Sequence, residues 1–150
     1  MYNPVEYKIA LGRVVKFITS RGYTVNLKSN SFYLIEEDRI VAAPHNASGY
    51  NMICSLLHEA GHIVQSNTEF KSLRSTIKRN KAIILEQEYQ AWHSGWTIAI
   101  ELKLNTPELY IHYRKSWLTH WSTYIEAVTN PVNNYSITQW SKPFTENQGV

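Results

Sequence analysis

Apolar positions near the start of the chain recur every three to four residues. Val5, Ile9, Val14, Phe17 and Ile18 predict a helix from Pro4 to about Ser20, opened by Asn3 as N-cap, Pro4 in the first turn and Glu6 as the capping-box acid. Gly22 suits the left-handed position just past a helix end. The period then drops to two: Tyr23, Val25 and Leu27 alternate with Thr24, Asn26 and Lys28, the pattern of a half-buried strand. Ser31 to Ile35 and Arg39 to Ala43 are two further runs of strand formers. The acidic Glu36, Glu37 and Asp38 between them predict a hairpin turn, and Pro44 closes the second arm. After a short loop from His45 to Gly49, helical spacing returns over Tyr50 to Gln65. A third helix is expected from about Ala82 to Leu104. A fourth is announced by Thr106 as N-cap, Pro107 and Glu108, and carries Tyr110, Tyr113, Trp117, Trp121, Tyr124, Ile125 and Val128 on one stripe. Residues 66–81 are polar and basic without a clear period. From Asn130 onward two prolines, four asparagines and isolated aromatics predict an irregular tail resting on the body through Tyr135, Trp140 or Phe144.

This order of elements predicts an α+β fold: an N-terminal helix, a small three-stranded sheet, then three helices. With 150 residues and no internal repeat, a single domain over 1–150 is expected, large enough to bury a core without staples. A hydrophobic content of 43% against 18% charged residues excludes a disordered chain, and ten Tyr with five Trp make it unusually aromatic. The net charge of +3 is too small to dictate a nucleic-acid partner, although five of the fifteen Lys and Arg fall within residues 71–81. That segment is read as a solvated connection, and nucleic acid is not an expected partner. The lone Cys54 forms no internal disulfide, so the fold does not require an oxidising compartment. The N-terminal residues lack the features of a signal peptide, and no stretch approaches eighteen apolar residues. A cytoplasmic protein without membrane contact is the expectation.

Chemistry enters with "CSLLHEAGHIVQ", Cys54 to Gln65. Residues four apart lie one turn apart on the same helix face, so His58 and His62 can aim their imidazoles at one ion. Glu59 sits about 100° round the helix, within reach of a water polarised by that ion without being a ligand. This is the H-E-x-x-H arrangement, in which two neutral imidazoles hold zinc and the glutamate acts as general base. Histidines in a helix are also met as hydrogen-bonded core residues. Here Ile53, Leu56, Leu57, Ile63 and Val64 surround the motif, so its polar members need a reason to be there. Gly61 between Glu59 and His62 permits close packing beneath the site, at a cost of about 1 kcal/mol of helix propensity.

A catalytic zinc has three protein ligands and one open position. Glu86, Glu88, His93, His112, His120 and the earlier His45 are the candidates for the third. Counting about 100° per residue from Leu85, Trp92, Trp96, Ala99 and Leu102 fall together and Glu88 falls among them, whereas Glu86 joins Gln90, His93 and Thr97 on the polar side. A carboxylate on an apolar face needs a partner, which selects Glu88, with Glu86 the alternative should the helix phase differ.

The run "RIVAAPHNASGYNMICSLLHEAGHIVQ", followed 26 positions after His62 by Glu88 in "EYQAW", resembles the core of the ImmA/IrrE-type metallopeptidases, small gluzincin-like zinc proteases. SprT-like proteases share the catalytic pattern more distantly. Trp92 stands where the family usually has Asn or Asp, and "SGWTIAIELKLN" replaces an apolar run ending in proline. The resemblance implies a zincin-like minimal core, zinc on His58, His62 and Glu88, Glu59 as general base, and a protein or peptide substrate. It also implies that the strand before the active-site helix, here Arg39, Ile40, Val41, Ala42 and Ala43, is a sheet edge to which an extended substrate adds. Tyr113 and His120, at the margin of the fourth helix's stripe, are candidates for stabilising an oxyanion, beside their plainer role in packing. Cys54, one turn before His58, is read as a small buried filler rather than a ligand. The expected function is a zinc-dependent metallopeptidase. The alternative is a non-catalytic zincin-fold protein that occupies a partner, including a phage or mobile-element effector.

Overall fold

A computed structural model describes residues 3–35, 37–44, 46–47, 49–66 and 81–129. Among them lie four helices, α1 (Pro4–Ser20), α2 (Gly49–Ser66), α3 (Lys81–Glu101) and α4 (Pro107–Thr129), and three strands, β1 (Thr24–Ser29), β2 (Tyr33–Ile35) and β3 (Ile40–Pro44). The α+β class and the order of elements agree with the pattern in the sequence. His45, the basic segment up to Asn80, and Tyr135, Trp140 and Phe144 lie outside the described residues.

Helix α1 begins where its chemistry directs: the Asn3 side chain accepts from the Val5 amide at 2.9 Å, and Pro4 fills a position whose missing N–H has no partner to lose. It buries Ala10, Val14 and Ile18, three positions spaced four apart. Val5 and Ile9 are 66% and 49% exposed, because they lie roughly 140–180° round the helix from Val14. The apolar face is therefore narrower than the sequence suggested. Gly22 follows with φ +86°, the left-handed conformation expected past the helix end.

The sheet has the order β1-β3-β2. Strand β3 pairs in parallel with β1, Val25 opposite Val41, and antiparallel with β2, Leu34 opposite Val41. Strand β3 is thus the middle strand. The substrate edge expected at residues 39–43 is not an edge: Ile40, Val41 and Ala42 are paired on both sides, and Arg39 lies in the preceding turn with φ 54°. The hairpin reading placed β3 beside β2, but periodicity carries no information on where β1 docks. Val41, Ala42 and Ala43 are all fully buried, as a central strand covered on both faces requires.

Helix α2 is the axis of the fold. Every residue from Met52 to Ile63 is buried, polar ones included. Its closest partner is α3, and two glycines explain the approach. A Cβ at Gly61 would overlap the Ala91 carbonyl, and one at Gly95 would lie 2.5 Å from the Leu57 carbonyl oxygen. Each helix thus offers a glycine to the backbone of the other. Helix α3 ends earlier than expected, at Glu101, in a Schellman turn: the Leu104 amide bonds the Ala99 carbonyl at 2.8 Å and the Lys103 amide the Ile100 carbonyl at 3.0 Å. Lys103 takes the left-handed position usually given to glycine, with φ 60°. Thr106 then caps α4, its hydroxyl accepting from the Leu109 amide at 3.2 Å.

Candidate metal centre

The backbone contact between α2 and α3 brings three side chains to one point. His58 Nε2 and His62 Nε2 are 3.1 Å apart, the spacing that one helical turn allows. Glu88 reaches across from α3 with one oxygen 3.3 Å from His58 Nε2 and the other 3.3 Å from His62 Nε2. All three are buried, and among the described residues they form the one group of His, Cys, Asp and Glu able to hold a metal ion. Two imidazole nitrogens and a carboxylate suit a borderline first-row metal rather than calcium or magnesium. Glu86, the alternative ligand, is exposed and accepts from the Gln90 amide at 2.9 Å. Helical phase thus separates the two carboxylates, one turned to the histidines and one to solvent.

Glu59 is fully buried, and neither of its oxygens has a hydrogen-bond partner among the described residues. Burial pushes its carboxyl up to about 8, a rise moderated by His62 and reinforced by Glu88. Glu88 sits in an equally dry place, but the charge of His62 and hydrogen bonds from both histidines outweigh burial and hold it below the ordinary carboxylate range. Burial also lowers the His58 imidazole, only partly offset by Glu88, which keeps it neutral as a metal ligand must be. Two buried carboxyls, Glu59 on α2 and Glu88 on α3, are thereby driven in opposite directions by their neighbours.

Several surrounding residues shape the cluster. The Trp92 ring packs on the His58 ring with centroids 4.2 Å apart and a 33° tilt, so this tryptophan forms a wall of the site. Tyr113 donates its hydroxyl to the Trp92 carbonyl. Its hydroxyl is thus engaged with the α3 backbone, which accounts for its burial. His120 is buried, points Nδ1 at the Ser116 carbonyl at 2.8 Å and feels the charge of Glu88. Cys54 is buried in the core and does not join the ligand group.

No protein-family profile, curated protein or solved structure matches the chain.

The functional argument therefore rests on geometry, and two residues in it were not singled out from the sequence. Tyr124 is buried on α4 in the field of Glu88, and burial raises its pKa well above the usual value. Its signal was available: it follows His120 by one turn, and a buried tyrosine hydroxyl requires a polar partner. Gln65 lies against His62, with its Oε1 3.2 Å from His62 Nδ1 and its Nε2 2.6 Å from the Gln87 carbonyl. The i,i+3 spacing from His62 was its signal.

Proposed function

We propose that the protein is a zinc-dependent metallopeptidase with a zincin-like core, hydrolysing peptide bonds of a protein or peptide substrate. One observation carries the reading: His58 Nε2 and His62 Nε2 lie 3.1 Å apart, each is 3.3 Å from a different oxygen of Glu88, and one ligand atom from each residue lies within 4.8 Å of the others. An ion bonded tetrahedrally at about 2.0–2.1 Å, as zinc is, needs its ligand atoms roughly 3.3 Å apart. His58, His62 and Glu88 would hold it. When bound, zinc supplies a Lewis acid that acidifies water and polarises a carbonyl. Glu59 takes the proton from the attacking water and delivers it to the leaving amine, a task for which a carboxyl near neutrality is suited. His120 and Tyr124, in the field of Glu88, are the side chains of α4 placed to influence charge building on the substrate. With β3 paired on both sides, an extended substrate would add to an outer strand, β1 or β2.

The burial of the site favours one further reading. His58 and Glu59 are fully buried, Glu88 is 2% and His62 4% exposed, a closed arrangement that suits a non-catalytic zincin-fold protein acting by occupying a partner. Glu59→Gln separates the two. On the peptidase reading the variant retains one zinc per chain and loses hydrolysis of an unfolded protein substrate. Unchanged hydrolysis, or a wild type prepared without chelators that carries no zinc, would overturn that reading; full cellular function of an inactive Glu59→Gln would establish the other.

A further inference from the structure

We propose that Gln65 is a positioning residue that fixes the ring tautomer of His62 and fastens that ring to the backbone beside Glu88. This rests on the metal-site reading above and extends it past the ligands to the group that makes one of them competent.

Donor and acceptor logic decides the matter step by step. Gln65 is buried, three residues after His62 on the same face of α2. An amide has one end that donates and one that accepts, and which end points where is settled by its neighbours. At one end the neighbour is the Gln87 carbonyl oxygen, 2.6 Å away. A carbonyl only accepts, so the NH₂ must face it. The amide oxygen is then the atom 3.2 Å from His62 Nδ1. That oxygen also only accepts, so Nδ1 must carry a proton. Nε2 is the atom facing His58 Nε2 and Glu88, and once a metal displaces any proton that Nε2 shares with the Glu88 carboxylate, the Nδ1-protonated ring offers its lone pair there. A main-chain carbonyl on α3 thus dictates, through one amide, which nitrogen of His62 is available to a metal.

The same amide acts on the second ligand helix. Gln87 directly precedes Glu88, so the bond from Gln65 ties the peptide that presents the carboxylate to the ring it must meet. Ligand histidines require such an outer partner to hold ring orientation, and an amide does here what a carboxylate could not do. A glutamate at 65 would accept from Nδ1 but set an ionised oxygen against the Gln87 carbonyl.

Three proteins test this: wild type, Gln65→Leu, which removes both bonds, and Gln65→Glu, which keeps the acceptor for His62 and loses the donor to Gln87. Ring ¹⁵N correlation spectra of the metal-free proteins, at a pH where His62 is neutral, report the tautomer. Competition with a chromogenic chelator reports zinc affinity. The expected result is a wild-type His62 protonated at Nδ1, a mixture of tautomers in Gln65→Leu with zinc affinity about 10–100-fold weaker, and recovery of the Nδ1-protonated form in Gln65→Glu. Zinc affinity within twofold of wild type in a folded Gln65→Leu overturns the proposal, as does an unchanged tautomer. If Gln65→Leu fails to fold, the wild-type spectrum still decides, since a His62 ring without a proton on Nδ1 contradicts the argument. A wild type that binds no zinc yet shows His62 protonated at Nδ1 would instead refute the metal reading and leave the tautomer control standing.

Discussion

Gly61 on α2 lies against the carbonyl of Ala91 on α3 so closely that a methyl group at position 61 would overlap it. That contact sets the distance between the helix carrying the two histidines and the helix carrying Glu88. Alanine favours a helix over glycine by about 1 kcal/mol, but overpacking against a backbone that cannot turn aside costs about 1–3 kcal/mol and parts the helices. Gly61→Ala is therefore expected to lower the urea midpoint and weaken zinc binding together. Gly12→Ala is the control. Its Cβ would meet nothing within 4 Å on the exposed side of α1, so a gain of roughly 0.5–1 kcal/mol is expected with zinc affinity unchanged. Equal effects of the two substitutions would show that helix separation does not govern the site.

The two carboxylates of α3 give a sharper contrast. Glu88 bridges both histidines, whereas Glu86 is exposed and accepts from Gln90. Glu88→Ala is expected to lose stoichiometric zinc, and Glu86→Ala to retain it with stability within about 0.5 kcal/mol of wild type. Metal content after gel filtration, with circular dichroism to verify folding, checks both. Zinc retained by a folded Glu88→Ala would remove Glu88 from the ligand set.

Much of this architecture was written in local signals. Asn3 and Pro4 start α1, Thr106 and Pro107 start α4, and the Asn3 and Thr106 side chains each accept from the backbone amide that an N-cap serves. The convergence of His58, His62 and Glu88 follows from two periodicities, four residues along one helix and the apolar phase of another. What stayed hidden depends on contacts between distant segments. The insertion of β3 between β1 and β2 is a matter of docking, and no alternation within Arg39 to Ala43 encodes it. The outward turn of Val5 and Ile9 appears only once Val14 and Ile18 have found the core. Gln65 and Tyr124 were visible as residues but not as partners, because their roles depend on which carbonyl or carboxylate of α3 they meet.

Lys103 offers a test of the turn that follows α3. Its φ of 60° places a lysine in the left-handed region, where a side chain costs roughly 1–2 kcal/mol and glycine costs nothing. The two Schellman hydrogen bonds and the burial of Leu104 hold it there. Lys103→Gly is expected to stabilise the protein by about 0.5–1 kcal/mol, since glycine's greater freedom in the unfolded chain returns part of the gain. Lys103→Val, β-branched at the same position, is expected to destabilise it. Thermal unfolding of the pair measures the sign directly.

Tyr113 separates structure from chemistry on α4. Its buried hydroxyl donates to the Trp92 carbonyl, and a Cβ at Gly95 would collide with that hydroxyl, so the bond runs through a gap that only glycine leaves. Tyr113→Phe removes a buried hydrogen bond and is expected to lower stability by about 1 kcal/mol. Zinc affinity should be preserved, and any hydrolysis should keep its kcat. A fall in kcat with stability unchanged would return Tyr113 to the reacting groups.

Cys54 reports on how the site opens. It is buried, one turn before His58, and burial pushes its thiol far above the ordinary range, so the native thiol should resist a disulfide reagent at pH 8 while the denatured chain reacts at once. With α2 buried without a break from Met52 to Ile63, exposing the thiol requires α2 to unfold or to part from the elements packed on it. Unfolding, or parting from α3, separates His58 and His62 from Glu88. Zinc bound only to the assembled set would oppose it by RT ln(1 + [Zn]/Kd), about 2.7 kcal/mol at a hundredfold excess over Kd. Labelling should therefore slow by about 100-fold under that excess, and Glu88→Ala should abolish the slowing. A rate independent of zinc in a protein that binds it would mean that Cys54 is exposed by a motion leaving the three ligands together, and that the histidine end of α2 does not open with its first turns.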